Sequence, residues 1–266
     1  MPTVLITGAT SGLGRYVAFE LARSGFVVLA HGRDPGRTER LVAELRTEGE
    51  AHGFVADLAS LAQVRELGSR VAAAHPRLDV LINNAGVGFG IPGAGREESV
   101  DGHELRLAVN YLAPVVLTHA LLPVLRAGAP SRIVNVGSAG QQPLDFDDFG
   151  TARDYDGVTA YRRSKLALAA HTFALAEELA GTGVSVNVLH PATFIDTAMV
   201  REAGVEPLST ISDGAAGVLA LTTTESGQAG TGQYFDGTSP ARAHAEAYDR
   251  DMWKRLEAAT DRLLGT

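Results

Sequence analysis

The chain has 266 residues, 45% of them hydrophobic, which is enough apolar material for one large core. Its 23 Lys and Arg stand against 31 Asp and Glu, and a net charge of −8 with a pI near 5.5 argues against a surface built for phosphate backbones, so no nucleic-acid partner is expected. No cysteine occurs, which excludes disulfides, thiolate nucleophiles and thiolate metal ligands, and no metal site is expected.

The start, MPTVLITG, runs directly into a strand-like segment without a basic leader. No apolar run is read as approaching the roughly 20 residues that span a bilayer. A cytoplasmic protein with no membrane partner is therefore expected. Short β-branched runs recur at 4–7 (VLIT), 26–30 (FVVLA), 52–57 (HGFVAD), 79–84 (DVLINN), 132–136 (RIVNV) and 184–190 (VSVNVLH). They are continuous rather than alternating, as strands covered on both faces are. Between them lie helical patterns such as LGRYVAFELARSG, TERLVAELRTEG and VRELGSRVAAAH. Parallel returns need crossovers, so this alternation predicts an α/β fold. The expectation is a single doubly wound, Rossmann-type domain over 1–237, with a mostly or fully parallel sheet of about seven strands and helices on both faces. Residues 238–266 are expected to form a helical tail packed by one face on the same domain.

After the first strand, Thr7-Gly8-Ala9-Thr10-Ser11-Gly12-Leu13-Gly14 opens a helix. Glycines there let the backbone approach a pyrophosphate resting on the helix N-terminus, which makes Gly8, Ser11, Gly12, Leu13 and Gly14 candidate cofactor contacts. The spacing is G-x-x-x-G-x-G rather than G-x-G-x-x-G, and an ordinary tight turn is the competing reading. The second strand ends in His31-Gly32-Arg33-Asp34. A ribose 2′-hydroxyl calls for a carboxylate at this edge and a 2′-phosphate calls for positive charge, so Gly32-Arg33 favours NADP(H). Asp34 lies about 20 residues past Gly14, the interval of a ribose-binding acid, yet Asp34-Pro35 is also turn chemistry.

Tyr161 and Lys165 fall four apart in a helical stretch and share one face. An ammonium beside a phenol lowers its pKa from about 10, as proton exchange with an alcohol or carbonyl near neutral pH requires. Ser138 follows the strand RIVNV, at the edge where such sheets bind ligands. Asn84-Ala85-Gly86 ends DVLIN with small residues. Asn110 sits in LRLAVNYLAPVVL, where an amide among apolar neighbours needs a buried partner.

Together with Asp57-Leu58 after the third strand and His190-Pro191 after the sixth, this ordered set resembles the short-chain dehydrogenase/reductase family over residues 3–237. DGHELRLAVNYLAPVVLTHALLPVL, APSRIVNVGS and QYFDG look like its retinol dehydrogenase and WW-domain oxidoreductase branch. The resemblance implies that Tyr161 is the general acid/base, that Lys165 lowers its pKa and binds nicotinamide ribose, and that Ser138 orients the substrate oxygen. It implies that Asn110 holds a water linking Lys165 to solvent and that Asp57 accepts from the adenine amino group. Pro191 and Thr193 join the cofactor contacts. The pyrophosphate-binding Thr of the family falls at Asp196, so Thr197 is offset by one.

The stretch from Ser138 to Tyr161 is longer than the family's usual one, and residues 139–160 are read as an acidic flap over the substrate mouth. Residues 193–211 are read as a short lid. The expected partner is a small carbonyl or alcohol substrate, with a homodimer or homotetramer formed through the helices bearing Asn110 and Tyr161. The alternatives are an NADP(H)-sensing regulator without turnover, an NAD-dependent alcohol dehydrogenase, and a sugar-nucleotide epimerase or dehydratase, which wants a larger C-terminal lobe.

Overall fold

The computed structural model describes residues 1–91, 93–223 and 230–265. Six strands lie where the β-branched runs predict: β1 (Thr3–Ile6), β2 (Val27–Gly32), β3 (Ala51–Val55), β4 (Val80–Asn83), β5 (Ser131–Val136) and β6 (Val184–His190). They pair in parallel with β7 (Tyr234–Asp236), and β8 (Ser239–Ala241) closes the sheet antiparallel to β7. The order is β3-β2-β1-β4-β5-β6-β7-β8. Chain direction across the sheet reverses between β1 and β4, and ligands bind such sheets at the carboxyl ends of the strands flanking that reversal. The sheet thus has eight strands rather than about seven. The last lies inside the segment assigned to the tail, and Pro240 suits an edge strand because it lacks a ladder donor.

Alternate strand residues feed two cores. Leu5, Leu29, Leu81, Ile133 and Val186 face one, with residues of α3 (Leu61–Ala74), α5 (Ala113–Ala127) and α6 (Gly157–Glu178). Val4, Ile6, Val28, Ala30, Val80, Ile82 and Val134 face the other, with residues of α1 (Gly12–Arg23), α2 (Pro35–Leu45) and α8 (Ile211–Thr223). Both faces being covered is why these strands read as continuous apolar runs.

The helix α4 (Leu105–Leu107) continues through a π-helical turn (Ala108–Leu112) into α5. The stretch Leu105–Ala127 is long and apolar enough to cross a bilayer, which corrects the expectation that no such run exists. Its most apolar window is 83% buried inside the domain, and a helix covered on all sides carries apolar residues on all sides. Beyond the short α7 (Ala198–Glu202), the chain ends in α9 (Arg250–Leu264). Met252, Leu256, Ala259 and Thr260 are the buried side of α9, and Thr260 Oγ1 meets the buried Tyr111 hydroxyl at 2.7 Å.

Candidate active site

The carboxyl ends of β1, β2 and β4 form a cradle built mainly of backbone. Gly8 has φ +67°, and a Cβ there would press on Ala85 Cα. A Cβ on Gly14 would overlap both the Gly8 carbonyl oxygen and Asn84 Nδ2, so only glycine lets α1 begin this close to the turn. Asn84 donates to the Thr7 carbonyl at 2.8 Å and to the Gly8 carbonyl at 3.3 Å. The N–H groups of Asn84 and Ala85 both donate to Thr7 Oγ1 at 3.0 Å. Asn84 and Ala85 therefore lock the glycine turn to β4. Ser11 is the extended N-cap of α1 and makes no side-chain cap, so the first-turn N–H groups keep their capacity for an anion. Leu13 is buried beneath the turn.

His31, invisible as a site residue in the sequence, fastens the cradle from below. It is 2% exposed, its Nδ1 accepts the Gly8 N–H at 3.3 Å, and its Nε2 lies 3.0 Å from the Ala56 carbonyl. An acceptor at Nδ1 and a donor at Nε2 define one neutral tautomer, and burial lowers the imidazole pKa to about 4. Buried polarity on an apolar strand was its only sequence signal.

At the β2 edge, a Cβ on Gly32 would overlap Thr10 and Thr38, so the position has no room for a carboxylate side chain. Arg33 is exposed. Asp34 is the N-cap of α2 and accepts the Arg37 N–H at 2.7 Å, which is the turn role that Asp-Pro allows. Asp57 Oδ1 accepts the Ala59 N–H at 2.9 Å, and Leu58 is buried.

Four side chains converge past the ends of β4 and β5. The Tyr161 hydroxyl lies near enough to the Ser138 side chain for that hydroxyl to favour its ionised form, and Ser138 Oγ accepts the Gly140 N–H at 3.0 Å. Lys165, one turn along α6, is 5% exposed; its Nζ donates to the Val136 carbonyl at 2.8 Å and lies 5.7 Å from the Tyr161 ring centroid. Asn110, in the π-helical turn, accepts the Val87 N–H at 2.7 Å and donates to the Val87 carbonyl at 3.0 Å and Ser164 Oγ at 3.1 Å. Gly86 passes between them, since a Cβ there would lie 3.2 Å from Asn110 Oδ1 and 3.8 Å from Lys165 Nζ. Burial raises the Tyr161 pKa against the smaller, opposing influence of the nearby Ser138 hydroxyl, and burial brings Lys165 down to about 8. In this arrangement desolvation rather than the ammonium sets the direction of the Tyr161 shift, contrary to the expected lowering.

Ser138 is held by residues that the sequence reading passed over. Its carbonyl accepts from Gln141 Nε2 at 2.7 Å and from the Tyr234 hydroxyl at 3.0 Å. After β6, Pro191 is buried and Thr193 is exposed with its hydroxyl 3.2 Å from His190 Nε2. Asp196 turns to Arg201 in a two-pronged ion pair at 2.6 and 2.9 Å. Thr197 takes the place beside the glycine turn, its Cγ2 3.1 Å from where a Gly12 Cβ would stand. The one-residue offset thus puts the threonine at the cradle and the aspartate outside it.

In the 139–160 loop the carboxylates are engaged locally. Asp145 accepts the Asp147 N–H, Asp148 accepts the Ala152 and Arg153 N–H groups, and Asp156 caps α6 through the Thr159 N–H. These carboxylates close the loop's own turns, and Phe146 and Phe149 stack at 5.7 Å and pack against the core. Exposed apolar side chains stand in the segment after β4, where Ile91 is 68% exposed, and within residues 193–211, where Leu208 is 70% exposed and Phe194 and Met199 are also exposed. The lid is a small bridge of Ile195 with Ser209, and Met199 lies over Gly88. Among the described residues no cluster of three or more His, Asp or Glu could hold a metal.

A glycine cradle at the reversal point, with Tyr161, Ser138, Lys165 and Asn110 gathered beside it, is the arrangement of a nicotinamide-dependent oxidoreductase, and the chain belongs to the short chain dehydrogenase family, whose model matches residues 2–207. The chain is 36% identical to human retinol dehydrogenase 13, over 99% of this chain and 84% of that protein. To human retinol dehydrogenase 14 it is also 36% identical, over 99% and 86%. Among solved structures, an uncharacterised protein from Mycobacterium paratuberculosis superposes with a TM-score of 0.82 at 30% identity, covering 100% of this chain and 94% of that one. The NADP complex of RhlG from Pseudomonas aeruginosa follows at 0.73 and 29%, covering 88% and 94%.

Proposed function

We propose that the protein transfers a hydride between NADP(H) and a carbonyl/alcohol pair, working chiefly as a reductase of ketones or aldehydes with an apolar body. The observation that carries this reading is the buried Lys165, held by the Val136 carbonyl at the end of β5 and 5.7 Å from the Tyr161 ring, with Asn110 across Gly86 from it. The chain's residues fit a dinucleotide, because the Gly8–Gly14 turn has no side chains in the way and ends on uncapped helix N–H groups. Gly8, Ser11, Gly12, Leu13, Gly14 and Thr197 would hold the pyrophosphate, Asp57 and Leu58 the adenine side, and Asn84, Ala85, Gly86, Pro191 and Thr193 the nicotinamide side. When bound, the nicotinamide supplies or takes the hydride.

The remaining chemistry belongs to this chain. Ser138 Oγ orients the substrate oxygen, and the Tyr161 hydroxyl passes its proton to that oxygen in reduction and takes it back in oxidation. Lys165 would hold the ribose hydroxyls of a bound cofactor, and its positive charge favours the phenolate left after the transfer. Asn110 keeps the 86–88 segment against Lys165. Preference for NADP(H) is supported by Arg33, by the lack of space at Gly32, and by the engagement of Asp34 as a cap. The NADP complex of the Pseudomonas relative is in keeping with it. The exposed Ile91, Phe194, Met199 and Leu208, and relatives named for retinol and polyprenol, support an apolar substrate.

The test is a panel of aldehydes and ketones, short and long, followed by NADPH absorbance. Turnover by the wild type that rises with substrate chain length is expected. Turnover that persists in Tyr161→Phe would overturn the mechanism.

A further inference from the structure

Outside the catalytic four, the cation most completely withdrawn from water is Arg106, 2% exposed, beside Glu104 at 1%. Its guanidinium spends every edge. Nε donates to the Gly88 carbonyl at 2.9 Å, Nη1 to the Tyr155 hydroxyl at 2.9 Å and to Glu104 Oε1 at 3.3 Å, and Nη2 to Glu97 Oε2 at 2.9 Å. Tyr155 donates in turn to Glu104 Oε1 at 3.1 Å, and Glu104 Oε2 accepts the Leu107 N–H at 2.7 Å. Burying such a group costs several kcal/mol unless its hydrogen bonds are satisfied, and only a planar fork reaches this many partners at once.

The partners decide what the fork does. Arg106 and Asn110 lie four apart along one helix, and both act on the segment after β4: Asn110 holds Val87 through its N–H and carbonyl, and Arg106 holds the next carbonyl, that of Gly88. The following residue, Phe89, sets its ring edge-on to Tyr161, with centroids 5.8 Å apart at 82°. A Cβ on Gly157 would overlap the Phe89 carbonyl oxygen, so the first turn of α6, the helix that carries Tyr161, rests on the same segment. Gly157 is two residues beyond Tyr155.

We infer that Arg106 is a positioning residue for Tyr161: through Gly88 it fixes Phe89 against the phenol ring, and through Tyr155 it ties the start of α6 to that same segment. This rests on Tyr161 being the acid/base proposed above.

The experiment uses the full chain with Arg106→Lys, which keeps the charge and loses the fork, Tyr155→Phe, which removes one hydroxyl, and Phe89→Ala. Backbone hydrogen exchange reads the clamp without turnover; kcat, KM and NADPH Kd read its effect on the site. Arg106→Lys should speed exchange at 87–90 and 155–158 about tenfold or more, lower kcat about tenfold, and leave the NADPH Kd within about threefold. In the double variant with Phe89→Ala the loss in kcat should not exceed that of the worse single, because both act through one contact. If Arg106→Lys does not fold, Tyr155→Phe carries the test, with the same exchange pattern and about a threefold loss in kcat. Unchanged exchange, unchanged kcat despite faster exchange, or fully additive losses would each overturn the inference. A wild type inert toward all carbonyls and alcohols sinks the assigned reaction instead, and the exchange result tells that failure apart.

Discussion

The two sides of the strand edge are held together by different means. At the β1–β2 end the cradle is backbone, glycine and short polar side chains, with His31 from β2 and Asn84 from the end of β4 bonded directly to main-chain carbonyls and N–H groups of adjoining strand ends. On the β4–β5–β6 side the segments are long, and side chains far apart in sequence fasten them: Arg106 to Tyr155, Gln141 to His244, Tyr234 to Ser138. A backbone cradle tolerates little change because glycine has no substitute, whereas a side-chain clamp can be loosened one hydrogen bond at a time. The first side should fail in binding and the second in turnover.

Tyr161→Phe tests the second side most directly. It keeps the ring against Phe89 and removes only the ionisable hydroxyl, so kcat should fall by about 10²–10⁴ while NADPH binding, followed by fluorescence, changes little. Near-wild-type turnover would move the acid/base role to another group.

On the cradle side the largest effect should come from acid. The unfolded chain protonates His31 near its ordinary 6.5, whereas the folded chain resists until about pH 4, so stability present above 6.5 is lost as pH falls toward 4. The loss amounts to about 3 kcal/mol. His31→Gln should flatten this part of a urea-midpoint-versus-pH curve. His171, held to about 3 by burial and His119, slopes both curves alike and cancels in their difference. Parallel curves for wild type and variant would count against a neutral His31.

Arg33→Ala should weaken NADPH by roughly ten- to a hundredfold, the worth of a charge-assisted phosphate contact of about 1.5–3 kcal/mol, and leave NADH unaffected. Isothermal titration with both cofactors decides it, and equal losses for the two would show that Arg33 meets no 2′-phosphate. The smallest effect should follow Asp148→Asn. It weakens the caps on Ala152 and Arg153 and should cost about 1 kcal/mol in the melting curve with little change in KM. A large rise in KM would restore a direct substrate role to the 139–160 loop.

What could be read from the sequence divides along the same line. The strands, the glycine turn and the set Asn110, Ser138, Tyr161 and Lys165 were legible because each is a local pattern at a fixed place in the alternation. Asp34 was ambiguous until its carboxylate was seen capping α2, and Asp196 and Thr197 until the turn after β6 was seen to point one outward and one toward Gly12. Arg106, Tyr155, Tyr234 and Gln141 left no local mark, because each makes a contact that joins segments 49 or more residues apart: Arg106 with Tyr155, Tyr234 with Ser138, Gln141 with His244. The engagement of the acidic loop's carboxylates was not legible, because charge in a sequence does not say whether a carboxylate faces solvent or its own backbone.

The contact between Tyr111 and Thr260 spans 149 positions of the chain. During synthesis every strand of the sheet leaves the ribosome before α9 does, so the Tyr111 side of the π-helical turn and the adjoining face of α6 stay bare through most of the chain's production. The charged outer face of α9, with Arg255 lying over Phe146 at 4.4 Å, then seals the last apolar strip under a soluble cover. Because α9 covers Tyr111 and its neighbours from far along the chain, these apolar surfaces stay open to solvent until residues 250–264 are available to pack.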